Sequence, residues 1–179
     1  MTTPLHLPAH FVVRHPRLLA GEHPCPGGDT RRHRARIAAL LVHGVTTFVD
    51  LTEHGRENGV QPYAAYLRGK RSHGLSIAYH HLPIPDAGVP RNATEVEHTL
   101  DVIDIALLNG EMVYLHCRSG VGRTGLMFAL HLVRHGHSAK AALGEVQEAW
   151  RRDPRSAAYP RSPQTEGQLA FVRRSRLQV

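Results

Sequence analysis

Cysteine is scarce in this chain, which has only Cys25 and Cys117 in 179 residues. Two cysteines far apart make no disulfide framework of the kind that staples small secreted domains. A chain of this length also builds a sizeable core without one. Lysine is equally scarce: Lys70 and Lys140 are the only two, so arginine supplies the rest of the 22 basic residues. That usage, with abundant alanine, marks a GC-rich, bacterial coding sequence, which weakens the net charge of +7 as a functional signal. A basic surface still favours acidic partners such as phosphopeptides, phosphoinositides or RNA ends. Long apolar runs are missing too, and nothing approaches the ~18 residues of a membrane span. The start "MTTPLHLPAHFVVRHP" has prolines and no apolar leader core, and the other end has no lipidation box. These absences point to a cytoplasmic protein with no membrane partner. No repeat or low-complexity segment breaks the chain, so one domain over 1–179 is expected, with its core at about residues 11–176.

Histidine, by contrast, is plentiful, with fifteen residues. Pairs such as His80 and His81, or His135 and His137, lack the i, i+4 spacing with a carboxylate that builds a zinc helix. His23 stands two residues from Cys25 in the turn "EHPCPGG". The histidines read as scattered surface groups, and neither a metal nor a cofactor is expected.

Strand and helix patterns alternate along the chain. Phe11 to Val13 and Leu18 to Ala20 suggest a strand pair at a sheet edge. Asp29 can cap a helix running to His43 and stopped by Gly44. Arg31, Arg32, Arg34 and Arg36 crowd its first turns, against the helix dipole, and suit a solvated face better than a docking surface. Val45 to Leu51 reads as a β-branched strand, "PYAAYL" as a short helix, and "LSIAYHHLPI" as another strand. Thr94 and Glu97 predict a capping box for a helix with inner stripe Val96, Leu100, Ile103 and Leu107, ended by Asn109 and Gly110. Ser138 caps a later helix, and Thr165 with Gln168 predicts a capping box for the last one. This alternation predicts an α/β fold with a mainly parallel central sheet and helices on both faces. Ligands of such sheets bind beyond the carboxyl ends of the strands. The loops after Asp50, Pro83 and Cys117 should therefore share one rim.

The densest signal is "MVYLHCRSGVGRTGLMFAL", Met112 to Leu130. An apolar strand ends at His116 and Cys117, a glycine-bearing loop follows, and a helix opens after it. Backbone N–H groups of Arg118, Ser119, Gly120, Val121 and Gly122, with the helix dipole, would converge on a phosphate, and Arg123 would grip two of its oxygens. A free thiol titrates near ~8.5, and helix N-termini with cationic neighbours bring thiols to roughly 3.5–7.5. The loop that binds phosphate would thus also favour a thiolate nucleophile at Cys117. Thr124 could donate its hydroxyl to the sulfur. His116 suits bracing the loop better than acting as a base. The plain alternative is a buried cysteine at a strand end in a glycine turn.

"HCRSGVGRTG" resembles the signature of the cysteine-dependent protein tyrosine phosphatases, in particular their dual-specificity branch, with bacterial members similar to kinase-associated phosphatase. The resemblance implies a dual-specificity-phosphatase-like fold and a phospho-cysteine intermediate. It also implies an acid on a separate loop, for which Asp86 in "LPIPDAGVP" is the candidate. Pro-Asp-x-Gly is equally good turn chemistry. "RLLAGEHP", "GVTTFVDLTE", "PYAAYL" and "SPQTEGQLAFV" extend the likeness over most of the chain. In the family, a late glutamine positions the water that releases phosphate. Gln164 and Gln168 are the positions that match, and Gln168 has a competing use in its capping box. Arg118 follows the nucleophile as basic residues do in several branches, whereas Val121 stands where lipid phosphatases usually carry a second basic residue.

The reading is a phosphotyrosine phosphatase, extending to phosphoserine and phosphothreonine, acting on a phosphorylated protein or small phosphoester. The alternatives are a phosphoinositide or RNA 5′-phosphatase on the same fold, and a non-catalytic phospho-binding module. Nucleic acid is the weaker partner class. Cys25 lies in what reads as an exposed turn, and a redox pairing with Cys117 is a further alternative, outweighed by an ordinary turn cysteine. Oligomeric state and any role for the Arg31–Arg36 cluster are not legible.

Overall fold

The computed structural model describes residues 7–12, 15–57 and 59–175, so the expected strand reaching Val13 and the last residues of the chain fall partly outside them. In chain order the elements are His10–Val12 (β1), Leu18–Gly21 (β2), Thr30–His43 (α1), Val45–Asp50 (β3), Ala64–Leu67 (α2), Arg71–Ser72 (β4), Leu75–Ser76 (β5), Ala78–His81 (β6), Ala93–Leu108 (α3), Met112–His116 (β7), Gly122–Arg134 (α4), Ala139–Arg151 (α5) and Glu166–Arg174 (α6). A 3-10 turn, Pro154–Ala157, joins the last two helices. The main sheet has the order β1-β2-β7-β3-β6. β2, β7, β3 and β6 run parallel, and β1 pairs antiparallel with β2. Only β1 of the anticipated edge pair is an edge, because β2 is hydrogen-bonded on both sides.

Alternation along the strands sends side chains into two cores. Leu18, Ala20, Val49, Val113 and Leu115 pack with residues of α3, α4, α5 and α6. Leu19, Phe48 and Tyr114 point the other way and pack with Ile37 and Leu40 of α1 and with Tyr63 and Leu67. All six residues of β3 are buried, as a strand covered on both faces requires. Helices on both faces of a mainly parallel sheet are thus the observed architecture.

Several local signals act as read. Asp29 accepts from the backbone N–H groups of Arg31 and Arg32, and Gly44 stops α1 in the left-handed region at φ 107°. Arg31, Arg32 and Arg34 are exposed, while Arg36 is pulled in by an ion pair with Glu22. Val96, Leu100, Ile103 and Leu107 are the buried stripe of α3. Two expectations need correction. The cap of α3 is Asn92, whose side chain accepts from the Glu95 N–H at 2.9 Å. The helix therefore starts one residue before Thr94, and Glu95 rather than Glu97 reaches back, to the Arg91 N–H. The stretch 75–84 is also not one strand. His73 (φ 50°) and Gly74 (φ 83°) make a tight turn between β4 and β5, a small hairpin separate from the main sheet.

Candidate active site

Three parallel strands end on one rim, and the loops after β3, β6 and β7 meet there. The loop after β7 carries Cys117, which is 2% exposed. Its carbonyls are tied outward. The His116 carbonyl accepts from Leu51 N–H at 2.9 Å and the Arg118 carbonyl from His23 N–H at 2.9 Å. The Ser119 carbonyl accepts from Arg155 Nη1 at 2.7 Å, and the Val121 carbonyl from Ser162 Oγ at 2.8 Å. Among the described residues, the backbone N–H groups of 118–124 find no such acceptor. A loop whose carbonyls are engaged and whose amides are free is a ring of donors, and the positive end of α4 adds to it. Gly120 permits the path: its φ is +75°, and a Cβ there would stand 2.4 Å from the Gly21 backbone.

Arg123 lies in the first turn of α4 and is 2% exposed. Its Nη1 and Nη2 donate to the two carboxylate oxygens of Glu57 at 2.5 and 2.8 Å. Nη1 also reaches the carbonyls of Ile84 (3.1 Å) and Leu51 (3.3 Å). Nη2 lies 2.8 Å from Oδ1 of Asp86. Burial works against the charge of this guanidinium, but Glu57, Cys117 and Asp86 outweigh it and raise its pKa. Burial likewise opposes ionisation of Glu57, and the hydrogen bonds from Arg123 overcome it and lower the Glu57 pKa. Asp86 is half exposed, on the loop after β6. That loop is held at two points. Its Asp86 N–H donates to Glu53 at 3.1 Å, and Gln168 Nε2 donates to the Gly88 carbonyl at 2.9 Å.

Behind the loop lies a buried polar cluster. Asp50 accepts from Thr52 N–H (2.9 Å) and Oγ1 (2.6 Å), from His54 (3.0 Å) and from Tyr79 (2.7 Å). Burial raises its pKa, but His116, His54, His23 and Thr52 more than compensate and hold it well below the ordinary carboxylate range. His116 is fully buried. Its Nε2 is hydrogen-bonded to Tyr63 OH at 2.6 Å, and its Nδ1 lies 3.3 Å from the Cys117 carbonyl. Burial keeps His116 neutral despite Asp50, which is the state of a brace rather than of an acid.

The remaining anticipated residues are placed unevenly. Thr124 Oγ1 is buried and has no hydrogen-bond partner among the described residues. The Gln168 amide is committed to its capping box and to Gly88. Gln164 is exposed, and its Cβ lies 3.4 Å from where a Gly122 Cβ would stand. Arg118 is exposed at the rim and Ser119 half-buried, while the Val121 side chain belongs to the core. Cys25 is not in an exposed turn: it is 2% exposed, and burial pushes its thiol up to about 12, so it is poorly suited to redox pairing. Sequence reading missed Glu57, Arg155 and Ser162. Glu57 lies in the charged loop "TEHGRENGVQP" at a strand end. That was a usable signal, whereas the reach of Arg155 back to Ser119 was not.

Residues 27–137 match the family described as "Polymorphic toxin system, DSP-PTPase phosphatase". The candidate tyrosine phosphatase 067L of Invertebrate iridescent virus 3 is 33% identical over 135 residues, covering 66% of this chain and 51% of that protein. Cyclin-dependent kinase inhibitor 3 of Sus scrofa is 38% identical over 61 residues, 34% of this chain and 28% of that protein. The chain thus spans about half the length, or less, of these relatives. In fold it is similar to kinase associated phosphatase (TM-score 0.67, 20% identity, 96% of this chain and 94% of that one). It is also similar to Tk-PTP in the active form (TM-score 0.64, 22% identity, 93% of this chain and 97% of that one).

Proposed function

The chain belongs to the DSP-PTPase phosphatases, and on that premise we propose that it hydrolyses phosphate monoesters, phosphotyrosine first among them, through a phospho-cysteine intermediate. One observation carries the reading. The amide ring above Cys117 and the Arg123 guanidinium, from the segment joining β7 to α4, meet the Asp86 carboxyl from the loop after β6, with Asp86 and Arg123 2.8 Å apart. Cys117 attacks phosphorus in line, and the P–O bond to the leaving oxygen breaks. Asp86, protonated, gives that oxygen its proton. Water then attacks the phospho-cysteine, Asp86 takes the water's proton, and the thiolate leaves with a hydrogen bond from Thr124. Arg123 and the amides hold the equatorial oxygens throughout. Glu57 keeps Arg123 in place, so Asp86 can swing off Nη2 and leave that N–H for a phosphate oxygen. Gln164 is the better placed of the two glutamines to orient the water.

The substrate is a phosphorylated protein or a small phosphoester. The phosphoinositide reading gains nothing further. PTPMT1, solved with PI(5)P, shares the fold at 17% identity, and Val121 offers no charge to a polyanionic headgroup. The phosphatase unit takes in about residues 11–176, because β2, Arg155, Ser162 and Gln168 lie outside the matched segment yet brace the loop. A thiolate nucleophile suits a reducing, cytoplasmic setting, and the arginine-rich composition suits a bacterial source. Among the described residues no helix is long and apolar enough to cross a membrane.

Kinetics on an aryl phosphate test the assignment. Cys117→Ser should abolish turnover while substrate still binds. Asp86→Asn should lower kcat about 10²–10⁴-fold, most with poor leaving groups. Wild-type rates in both variants would refute it.

A further inference from the structure

A second set of ligating side chains lies at the far end of α4. His131 and His135 are four residues apart and share one helix face, and Asp104 of α3 faces them. Asp104 Oδ1 is 3.1 Å from His131 Nδ1 and 3.0 Å from His135 Nε2. His131 is buried, and its Nδ1 makes no hydrogen bond among the described residues. It is near the carboxylate but not aligned to donate to it. Donors bound at ~2.0–2.1 Å around a tetrahedral ion stand about 3.3 Å apart, close to these separations.

We propose that Asp104, His131 and His135 form a binding site for a divalent transition ion of the zinc class, clasping α3 to α4. Two imidazoles and one carboxylate select such an ion over magnesium or calcium, which prefer all-oxygen shells. Water completes the tetrahedron. Arg134 Nε lies 3.3 Å from the other Asp104 oxygen. It orients the carboxylate as an outer partner does, and its charge moderates the affinity. The other cluster of this kind among the described residues, His23, Asp50 and His116, is looser, with separations of 3.8 and 3.9 Å, and Asp50 there is already saturated with donors. The clasp lies about 12 Å along α4 from Arg123, counting eight residues to His131. It acts on stability rather than on chemistry. Reading the histidines as scattered overlooks this pair because its carboxylate comes from another helix.

The test uses the full chain in the Cys117→Ser background, which removes the rim thiol as a competing ligand. After chelator treatment the protein is titrated with Co²⁺ at pH 7.5, following the visible absorption of a tetrahedral complex. One ion per chain is expected, displaced by Zn²⁺. His135→Ala removes a half-exposed side chain and Asp104→Asn keeps the shape, and each should weaken binding at least about tenfold. His98→Ala should change nothing. The Zn²⁺-induced rise in melting temperature should disappear in His135→Ala. Circular dichroism of each variant confirms that it is folded, and if one variant unfolds, the other decides. No saturable binding, or binding indifferent to the variants that fold, would overturn the site.

Discussion

Glu57 is the side chain on which the orientation of Arg123 depends. A guanidinium with this many donors satisfied by protein keeps one geometry, which a phosphate-binding fork needs. Glu57→Gln retains the shape but loses the charge and one accepting oxygen. It should lower kcat/KM on an aryl phosphate at least about tenfold, or ~1.4 kcal/mol of transition-state stabilisation. An increase would mean that Glu57 plugs the site instead of bracing it. Because the Glu57 pKa is lowered by Arg123, the pair persists above the usual carboxylate range, and Glu57 should add no inflection to a rate profile from pH 5 to 8. At this scale the sequence was partly legible. Cys117, Arg123 and Asp86 could be singled out as candidates because each stands in a short motif, and the fold brings Arg123 and Asp86 within 2.8 Å. Glu57 did not, because its partner is 66 residues away.

The loop before α4 holds its shape through contacts from elements that precede and follow it. Gly120→Ala would force a Cβ against the Gly21 backbone at 2.4 Å in a left-handed conformation. Neither side can yield, since both belong to buried backbone. The expected cost is about 2–4 kcal/mol of stability, combining overpacking with the φ penalty, together with loss of most activity. Chemical denaturation and steady-state rates would check it, and a variant as stable and active as wild type would count against this loop geometry. Arg155→Leu removes the donor on the Ser119 carbonyl and should raise KM more than it alters the fold. Element ends set by neighbouring residues were legible, as at Asp29, Gly44, Ser138 and Thr165. The β4–β5 hairpin was not, because β4 is only Arg71–Ser72 in a polar stretch, while Leu75–Ser76 runs on into the apolar pattern of β6 and reads as part of it.

Across the whole molecule, buried titratable groups tie stability to pH. Burial lowers the pKa of His23, to about 3, and of His116. The unfolded chain protonates both near ~6.5. Their contribution is therefore complete above that value and is lost as pH falls, because only the unfolded state takes up protons there. His54 works the other way: its pKa is raised by Asp50, so its contribution is present below ~6.5 and lost as pH rises through the raised value. Asp50 and Glu57 add stability above ~4 that disappears below it. Burial also lowers the pKa of the less buried His15 and His80, so four histidines with depressed values outweigh the one with a raised value. Stability measured by urea unfolding should fall by roughly 2 kcal/mol from pH 7 to pH 5, and His23→Gln should flatten that slope. A rise over the same interval would contradict the account. The parallel sheet and its common rim were legible as alternation of strand and helix. The buried Asp50 cluster was not, since His23, His54 and His116 reach it from three different segments.

The central claim is covalent chemistry at Cys117, and rapid acid quench tests it most directly. The protein would be mixed with an aryl phosphate, stopped within the first turnovers and analysed by peptide mass. The account predicts a phosphate on Cys117, absent in Cys117→Ser and longer-lived in Asp86→Asn. Undiminished hydrolysis by Cys117→Ser, with no phosphate on the cysteine of the wild type, would contradict it.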